Sequence, residues 1–138
     1  MNLLAIDTAT SILSVAVCKD KDVFYKKIDA DTPISESAMS VIDSLMKEAG
    51  LKPNELNGVI CMGGPGSFTG LRVGYSIAKG LALSLNIPFV AVPTIEEIIK
   101  DCGHYFYKDK RGLARELLEI GKTMDYDDSK TLFSGPEY

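Results

Sequence analysis

A glycine-rich segment, GGPGSFTG at residues 63–70, has the composition most suited to chemistry in this sequence. It lies between a short apolar run, typical of a buried strand, and a long helical pattern. In such a position, backbone N–H groups and the helix dipole can hold a phosphate or another anion. Gly64, Gly66, Ser67 and Thr69 are therefore candidate anion-binding residues. The alternative is a tight turn in which Ser67 or Thr69 caps the following helix.

This segment matches neither of two common nucleotide-binding patterns. No Lys-Ser or Lys-Thr pair follows the glycines, so it is not a Walker A motif. The glycines at 64, 66 and 70 give GxGxxxG, which is one residue longer than the dinucleotide-binding pattern. Spacing alone therefore leaves phosphate binding and the plain turn both open.

Asp7 and Thr8 are a second candidate site, at the end of the first apolar run. An Asp that closes a first strand is where actin-like ATPases hold a metal-bound nucleotide. The alternative is an ordinary hairpin turn, because Asp and Thr both favour turns. We expect Asp7 and Thr8, together with the glycine-rich segment, to form any nucleotide site.

Other classes of catalytic site find little support. His104 is the chain's one histidine, so neither a zinc site nor a Ser-His-Asp set is expected. The three cysteines, at 18, 61 and 102, are an odd number without a CxxC pattern. We interpret them as reduced thiols in a cytoplasmic protein.

Length and composition indicate a soluble domain of ordinary kind. The chain has 138 residues, 46% of them apolar and 25% charged, and its net charge is −4. An acidic chain is not expected to bind nucleic acid by itself through a basic face. No apolar run approaches the length of a membrane span, so no membrane contact is expected.

Apolar periodicity predicts an α/β fold with a mixed five-stranded sheet, in the order β-β-β-α-β-α-β-α. The predicted strands are 3–7, 14–18, 23–28, 59–62 and 89–92, and the predicted helices are 35–49, 70–85, one that begins at Thr94, and 111–121. Gly50 is expected to end the first of these helices. The remainder of the chain, from Lys122 to Tyr138, is predicted to be a loosely packed tail.

Two helical faces could meet a partner. The first helix has a wide apolar arc, in which Met39 and Met46 are expected to face outward and Ile42 belongs to the stripe. The second keeps small residues at four-residue spacing, which permits close approach of another backbone: Gly70, Gly74, Ala78 and Ala82. The neighbour could be the chain's own sheet or a partner helix, and both alternatives remain open.

Three sequence strings resemble the TsaB (YeaZ) family: IDTAT at 6–10, GPGSFTGLR at 64–72 and AKGLA at 78–82. The similarity runs from Met1 to about Ile99, and GPGSFTGLR is its most specific part. It implies the actin-like fold of Hsp-type ATPases, which is related to ribonuclease H. It also implies a non-catalytic partner of the transferase TsaD in forming threonylcarbamoyladenosine at position 37 of tRNA, together with the ATPase TsaE.

The resemblance carries further expectations about partners and cofactors. The first two helices would form the face for homodimers and for TsaD, and tRNA would be reached only through the complex. No cofactor is expected to be required, although ATP or ADP with magnesium could bind weakly at the level of the complex. The alternative function is a nucleotide-binding actin-like ATPase or a kinase-like enzyme.

The chain is short for this family, whose members usually carry a second actin-like half. We expect residues 1–103 to form the N-terminal actin-like domain. Residues 104–138 would be the remnant of a truncated second half, a short helix and a tail. Because residues 113–118 and 135–138 resemble the family's closing helix and tail, the missing part is expected to be internal.

Overall fold

The computed structural model describes residues 1–9, 12–29, 34–64, 68–93 and 113–123. These residues form a five-stranded sheet covered by three α-helices. The strands are β1 (Leu3–Asp7), β2 (Ile12–Lys19), β3 (Asp22–Asp29), β4 (Gly58–Gly64) and β5 (Phe89–Pro93). The helices are α1 (Ile34–Ala49), α2 (Phe68–Leu85) and α3 (Ala114–Gly121), and a 3-10 turn spans Pro53–Glu55.

The sheet is mixed, with strand order β3-β2-β1-β4-β5. The hairpin-linked strands β1, β2 and β3 pair antiparallel, whereas β1, β4 and β5 run parallel to one another. Short turns allow only antiparallel neighbours, and the helical connections produce the parallel ones. This arrangement confirms the predicted α/β class with a mixed five-stranded sheet.

Alternation along the strands separates the core into two layers. On β1, Leu4 and Ile6 face the layer under α1 and α2, while Leu3 and Ala5 face the layer under α3. Both layers are fully buried along β1, because helices cover both sides of the sheet. The central strands therefore read as continuous apolar runs rather than as an alternating pattern.

Helix α1 ends as predicted, in a Schellman motif at Gly50. Gly50 has a φ of 68°. Its N–H donates to the Lys47 carbonyl at 3.1 Å, and the Leu51 N–H donates to the Met46 carbonyl at 3.0 Å. A positive φ favours glycine at this position, and the two bonds satisfy carbonyls that the helix leaves free.

Strands β2, β3, β4 and β5 are longer than predicted, because ladder pairing extends into their polar, glycine or proline ends. Lys19 pairs with Asp22, and Gly64 pairs with Pro93, although neither pair belongs to an apolar run. The predicted helix at Thr94 and most of the predicted tail lie outside the described residues. Within the described part of the chain, no helix is long and apolar enough to cross a membrane.

Helix α3 packs on the same sheet as the rest of the fold. Its buried residues Leu117 and Leu118 belong to one apolar cluster with Leu3 of β1 and Ile60 of β4. The expected division at residue 104 stays a prediction, because only residues 113–123 of the second part are described, and α3 among them packs on the sheet of the first part. Residues 104–112 and 124–138 lie outside the description.

Candidate functional site

The Asp7 carboxyl group lies at the end of β1, enclosed between the sheet and α3. It is fully buried, and its partner across the β1–β2 ladder is Ser14, which is also fully buried. Its Oδ1 accepts the Ala9 N–H at 3.0 Å, and its Oδ2 accepts the Leu113 N–H at 3.1 Å. Both carboxyl oxygens are therefore engaged by backbone donors of this same chain.

Two backbone N–H groups at the start of α3 donate hydrogen bonds to side chains on the neighbouring strands β1 and β2. Leu113, the residue before the helix, donates to Asp7, and Ala114, its first residue, donates to the Ser14 hydroxyl at 3.0 Å. The first N–H groups of a helix have no partner within it and carry the positive end of its dipole. A carboxyl and a hydroxyl on the sheet thus cap α3 from outside its own sequence.

Burial raises the pKa of Asp7 from 3.8 to about 6, because an ionised carboxylate loses its hydration between the sheet and the helix. Hydrogen bonds from Ala9, Leu113 and Ser14 act in the opposite direction, and the charge of Glu116 adds to the rise. The rise shows that desolvation outweighs the donors around this carboxyl.

Tyr25 and Arg115 lie at the edge of the same cluster. The Arg115 guanidinium carbon lies 4.1 Å from the centre of the Tyr25 ring, a cation–π distance that joins α3 to β3. Burial raises the pKa of Tyr25, and hydrogen bonding to Ser14 and the charge of Arg115 oppose that rise. We define the Asp7 cluster as Asp7, Ser14 and Tyr25 together with the N–H groups of Leu113 and Ala114.

Thr8, although adjacent in sequence to Asp7, faces the opposite layer. It is buried at 2% exposure, and its hydroxyl oxygen lies where a side-chain carbon on Gly74 of α2 would have to sit. Gly74 is therefore required by the chain's own contact with Thr8. The structure therefore places Asp7 and Thr8, two of the predicted nucleotide-binding residues, on opposite faces of the sheet.

The same contact corrects the predicted interface on α2. Gly70, Gly74 and Ala78 are buried, and Ala78 belongs to the apolar cluster under α1 and α2. This small-residue face meets the chain's own sheet, because it allows α2 to approach Thr8 closely. It is not open to a partner helix.

The predicted interface on α1 is only partly exposed. Met39 is 48% exposed, but Ile42 and Met46 are 4% and 5% exposed, so the prediction that Met46 faces outward is wrong. Met46 is covered because the segment after α1, which contains Leu51 and Leu56, folds back beside it. An open groove of about 300 Å³ remains between α1, α2 and this segment, and it is lined mainly by apolar residues: Leu4, Met39, Ile42, Met46, Leu51, Leu56, Leu81 and Leu85.

The glycine-rich segment is described only in part. Gly64 ends β4 with a φ of 102°, a conformation that favours glycine. Thr69 belongs to the first turn of α2. Gly66 and Ser67 lie outside the described residues, so their predicted role in anion binding stays a prediction.

Metal-binding and nucleophilic side chains are sparse in the described chain. Among those residues, no group of three or more His, Cys, Asp or Glu side chains could hold a metal ion. Cys18 and Cys61 are buried free thiols, as expected, and burial raises the pKa of Cys61 above its usual range. A thiol held in its protonated form is a poor nucleophile.

Sequence reasoning missed Ser14, Tyr25 and the N–H groups of α3 as parts of the Asp7 cluster. Ser14 did carry a signal, since it is the one polar residue inside the apolar run ILSVAVC at 12–18. A hydroxyl inside a buried strand needs hydrogen-bond partners. Backbone donors such as Leu113 N–H leave no trace in the residue types.

Comparisons with known proteins agree with the resemblance of the motifs. Residues 29–110, more than half of the chain, match the family model "TsaD: tRNA N6-adenosine threonylcarbamoyltransferase". The tRNA threonylcarbamoyladenosine biosynthesis protein TsaB of Bacillus subtilis is 35% identical over 106 residues, which is 76% of this chain and 46% of that protein. The Escherichia coli protein of the same name is 35% identical over 124 residues, or 90% of this chain and 52% of its own length.

A solved structure gives the same relationship. YeaZ from Pseudomonas aeruginosa superposes with a TM-score of 0.67 at 27% identity, covering 73% of this chain and 47% of that one. The chain spans about half the length of the curated relatives that it matches. The chain therefore belongs to the TsaB (YeaZ) family, within the wider group that the TsaD family model describes.

Proposed function

We propose that this chain is a non-catalytic accessory subunit in the synthesis of threonylcarbamoyladenosine on tRNA, where it binds and supports a TsaD-type transferase. Family membership supports the pathway, because two relatives at 35% identity are named for this biosynthesis. In this proposal a TsaE-type ATPase joins the complex, tRNA is contacted through the complex, and the chain alone forms a homodimer. Any ATP or ADP with magnesium binds weakly and only in the assembled complex.

The observation that carries the proposal is the groove between α1 and α2. It is open, lined mainly by apolar side chains, and bordered by Met39, which is 48% exposed. Exposed apolar surface beside a groove is typical of protein–protein contact sites. In this proposal the occupant is the TsaD-type transferase, because the chain matches the family model of that protein. Identical subunits pair about a two-fold axis through the same surface on each, and the proposal extends this pairing to two chains of one family.

The chemistry of the described side chains supports an accessory role over the alternative of a nucleotide-using enzyme. The carboxyl of Asp7, which that alternative requires, is enclosed and hydrogen-bonded within the chain. Cys61 is buried and its raised pKa keeps the thiol protonated. A nucleophile that works at neutral pH instead needs access and a base or a lowered pKa.

The test is the substitution Met39→Glu, measured as affinity for TsaD from the same source. A charge placed at an exposed interface residue should weaken binding by about thirtyfold or more, which corresponds to about 2 kcal/mol. The thermal midpoint of the isolated chain should stay unchanged, because Met39 is half exposed and the substitution removes little core contact. Met46→Glu is unsuited to this test, since Met46 is buried and the change would unfold the chain.

The matched control is Ile120→Glu, which introduces the same charge at an apolar residue that is 37% exposed on α3, across the sheet from the groove. It should leave the affinity for TsaD unchanged. Equal affinity for the wild-type chain and Met39→Glu would contradict the interface. A wild-type chain that self-associates but does not bind the transferase would contradict the accessory role itself.

A further inference from the structure

The contact between Asp7 and α3 joins two parts of the chain that are 106 residues apart in sequence. It uses the carboxyl that an actin-like fold would offer to a magnesium-bound nucleotide. We infer that Asp7 positions α3 on the sheet, and that this contact excludes a magnesium-bound nucleotide from the carboxyl group. The inference concerns the isolated chain and does not depend on the proposed partner.

A magnesium ion does not fit the geometry at Asp7. Magnesium needs carboxylate oxygens that are free to enter a tight octahedral shell, most of which is water. Here Oδ1 and Oδ2 already accept N–H groups at 3.0 and 3.1 Å, and the carboxyl has no solvent exposure. Among the described residues, Asp7 belongs to no group of three or more acidic, histidine or cysteine side chains that could hold a metal ion.

The local field also disfavours a cation. The N-terminus of α3 points its positive end and the Leu113 N–H at Oδ2. A divalent cation in that place would face the N–H donor directly, whereas the carboxylate is the kind of group that a helix N-terminus stabilises.

The helix is held by more than this one bond. Ala114 donates to Ser14, and Leu117 and Leu118 are fully buried against the sheet. Entry of a nucleotide at Asp7 would require all of these contacts to open together. Apolar burial therefore keeps α3 in place, while Asp7 and Ser14 fix where its first turn lies on the strands.

The first test measures amide hydrogen exchange by NMR in the full chain, as the ratio of the Leu113 rate to that of Ile60. Ile60 lies in strand β4, between β1 and β5 in the sheet, and is fully buried, so it reports global opening. Asp7→Ala should raise this ratio about tenfold or more, because it removes a charge-assisted hydrogen bond to Leu113. Asp43→Ala, at an exposed carboxylate on α1 that pairs with Lys47, should leave the ratio unchanged.

An unchanged ratio in Asp7→Ala would overturn the positioning role. If Asp7→Ala does not fold, Asp7→Val replaces it, because valine fills a similar volume and still leaves the Leu113 N–H without its acceptor. A ratio of Leu113 to Ile60 exchange that rises about tenfold supports the inference, and an unchanged one overturns it.

The second test adds ATP with magnesium, up to millimolar concentration, to the labelled wild-type chain. We expect no saturable shift of the Asp7 or Thr8 resonances and no change in the exchange ratio at Leu113. Saturable, magnesium-dependent shifts at Asp7 accompanied by faster Leu113 exchange would show that the nucleotide displaces α3, and would overturn the exclusion. Neither readout involves TsaD, so this test and the test of the accessory role can fail separately.

Discussion

The two faces of the sheet are covered by helices in different ways. Helices α1 and α2 pack on one face through apolar side chains and one close backbone approach, at Gly74. On the other face, α3 combines apolar packing with the Asp7 cluster, in which buried polar groups receive its first N–H donors. The positions of α1 and α2 therefore depend on how their side chains pack, whereas the position of α3 depends on side-chain packing and on buried hydrogen bonds.

Because of this difference, the two faces should be destabilised by different changes. Close packing is sensitive to a single added carbon, because a protein interior has little space to spare. A buried carboxyl is sensitive to its protonation state, because desolvation penalises the charged form. Changes in pH should therefore act on the α3 face, and changes in side-chain volume on the α2 face.

The largest expected effect is the pH dependence that Asp7 gives to stability. The pKa of Asp7 is 3.8 in the unfolded reference and about 6 in the folded chain, so the folded state holds the proton more tightly. The contribution of Asp7 to the free energy of unfolding is therefore fully present below about pH 4 and is lost as pH rises through about 6. The full span amounts to about 3 kcal/mol.

Urea denaturation of the wild-type chain and of Asp7→Asn at several values from pH 4 to 7 measures this contribution. The neutral amide cannot titrate, so the wild-type chain should lose stability relative to Asp7→Asn by most of that amount over this range. Glu116, Arg115 and Tyr25 face the same cluster and are present in both chains. A difference between the two chains that stays constant with pH would contradict the raised pKa.

The second expected effect is the loss of stability in Gly74→Ala. The added carbon would overlap the hydroxyl oxygen of Thr8. Because the Thr8 side chain is short and buried, it cannot swing aside, and the helix or the strand end must move. Overpacking of this kind costs about 2 kcal/mol. Denaturant titration should show a lower midpoint for Gly74→Ala than for the wild-type chain. Sedimentation of the folded fraction should show the same proportion of monomer and oligomer in both chains.

The control for Gly74→Ala is the double variant with Thr8→Ala, which removes the overlapping oxygen. If the contact is the cause, the double variant should be more stable than the sum of the two single effects predicts, by about 1 kcal/mol or more. Strict additivity would contradict the contact. If Gly74→Ala folds with normal stability but no longer self-associates, this face of α2 contacts a partner chain instead of Thr8.

Much of the fold follows from the sequence, because the helices and strands carry regular apolar periodicity. Strand β1, most of β5 and of helix α1, and the end of that helix at Gly50 were predictable from residue types alone. The other strand ends were not, since Lys19 and Asp22 pair only because the neighbouring strands are already in register. Local sequence does not contain that pairing.

The candidate site was less predictable than the fold, for physical reasons that differ between its parts. Asp7 was recognisable as a chemically capable residue, but its partner is a backbone N–H at Leu113, which no side-chain pattern encodes. The small-residue face around Gly74 indicated a close neighbour, and only the structure identifies that neighbour as Thr8. Met46 belongs to the apolar arc of α1, and it is buried because the segment containing Leu51 and Leu56 covers it.

The smallest expected effect is a gain of stability in Gly80→Ala, six residues along α2 from Gly74. Gly80 is exposed, and a side-chain carbon there would meet no atom within 4 Å. Its carbonyl accepts the Ser84 hydroxyl at 2.7 Å, a bond that alanine leaves intact. Since glycine inside a helix costs more backbone entropy than alanine, the substitution should raise the free energy of unfolding by about 0.5–1 kcal/mol.

The same substitution, glycine to alanine, would then lower stability at position 74 and raise it at position 80 of one helix. This contrast distinguishes the effect of the Thr8 contact from that of helix propensity. A loss of stability in monomeric Gly80→Ala would show that propensity does not govern this position, whereas weakened binding of TsaD would assign the outer side of α2 to the partner.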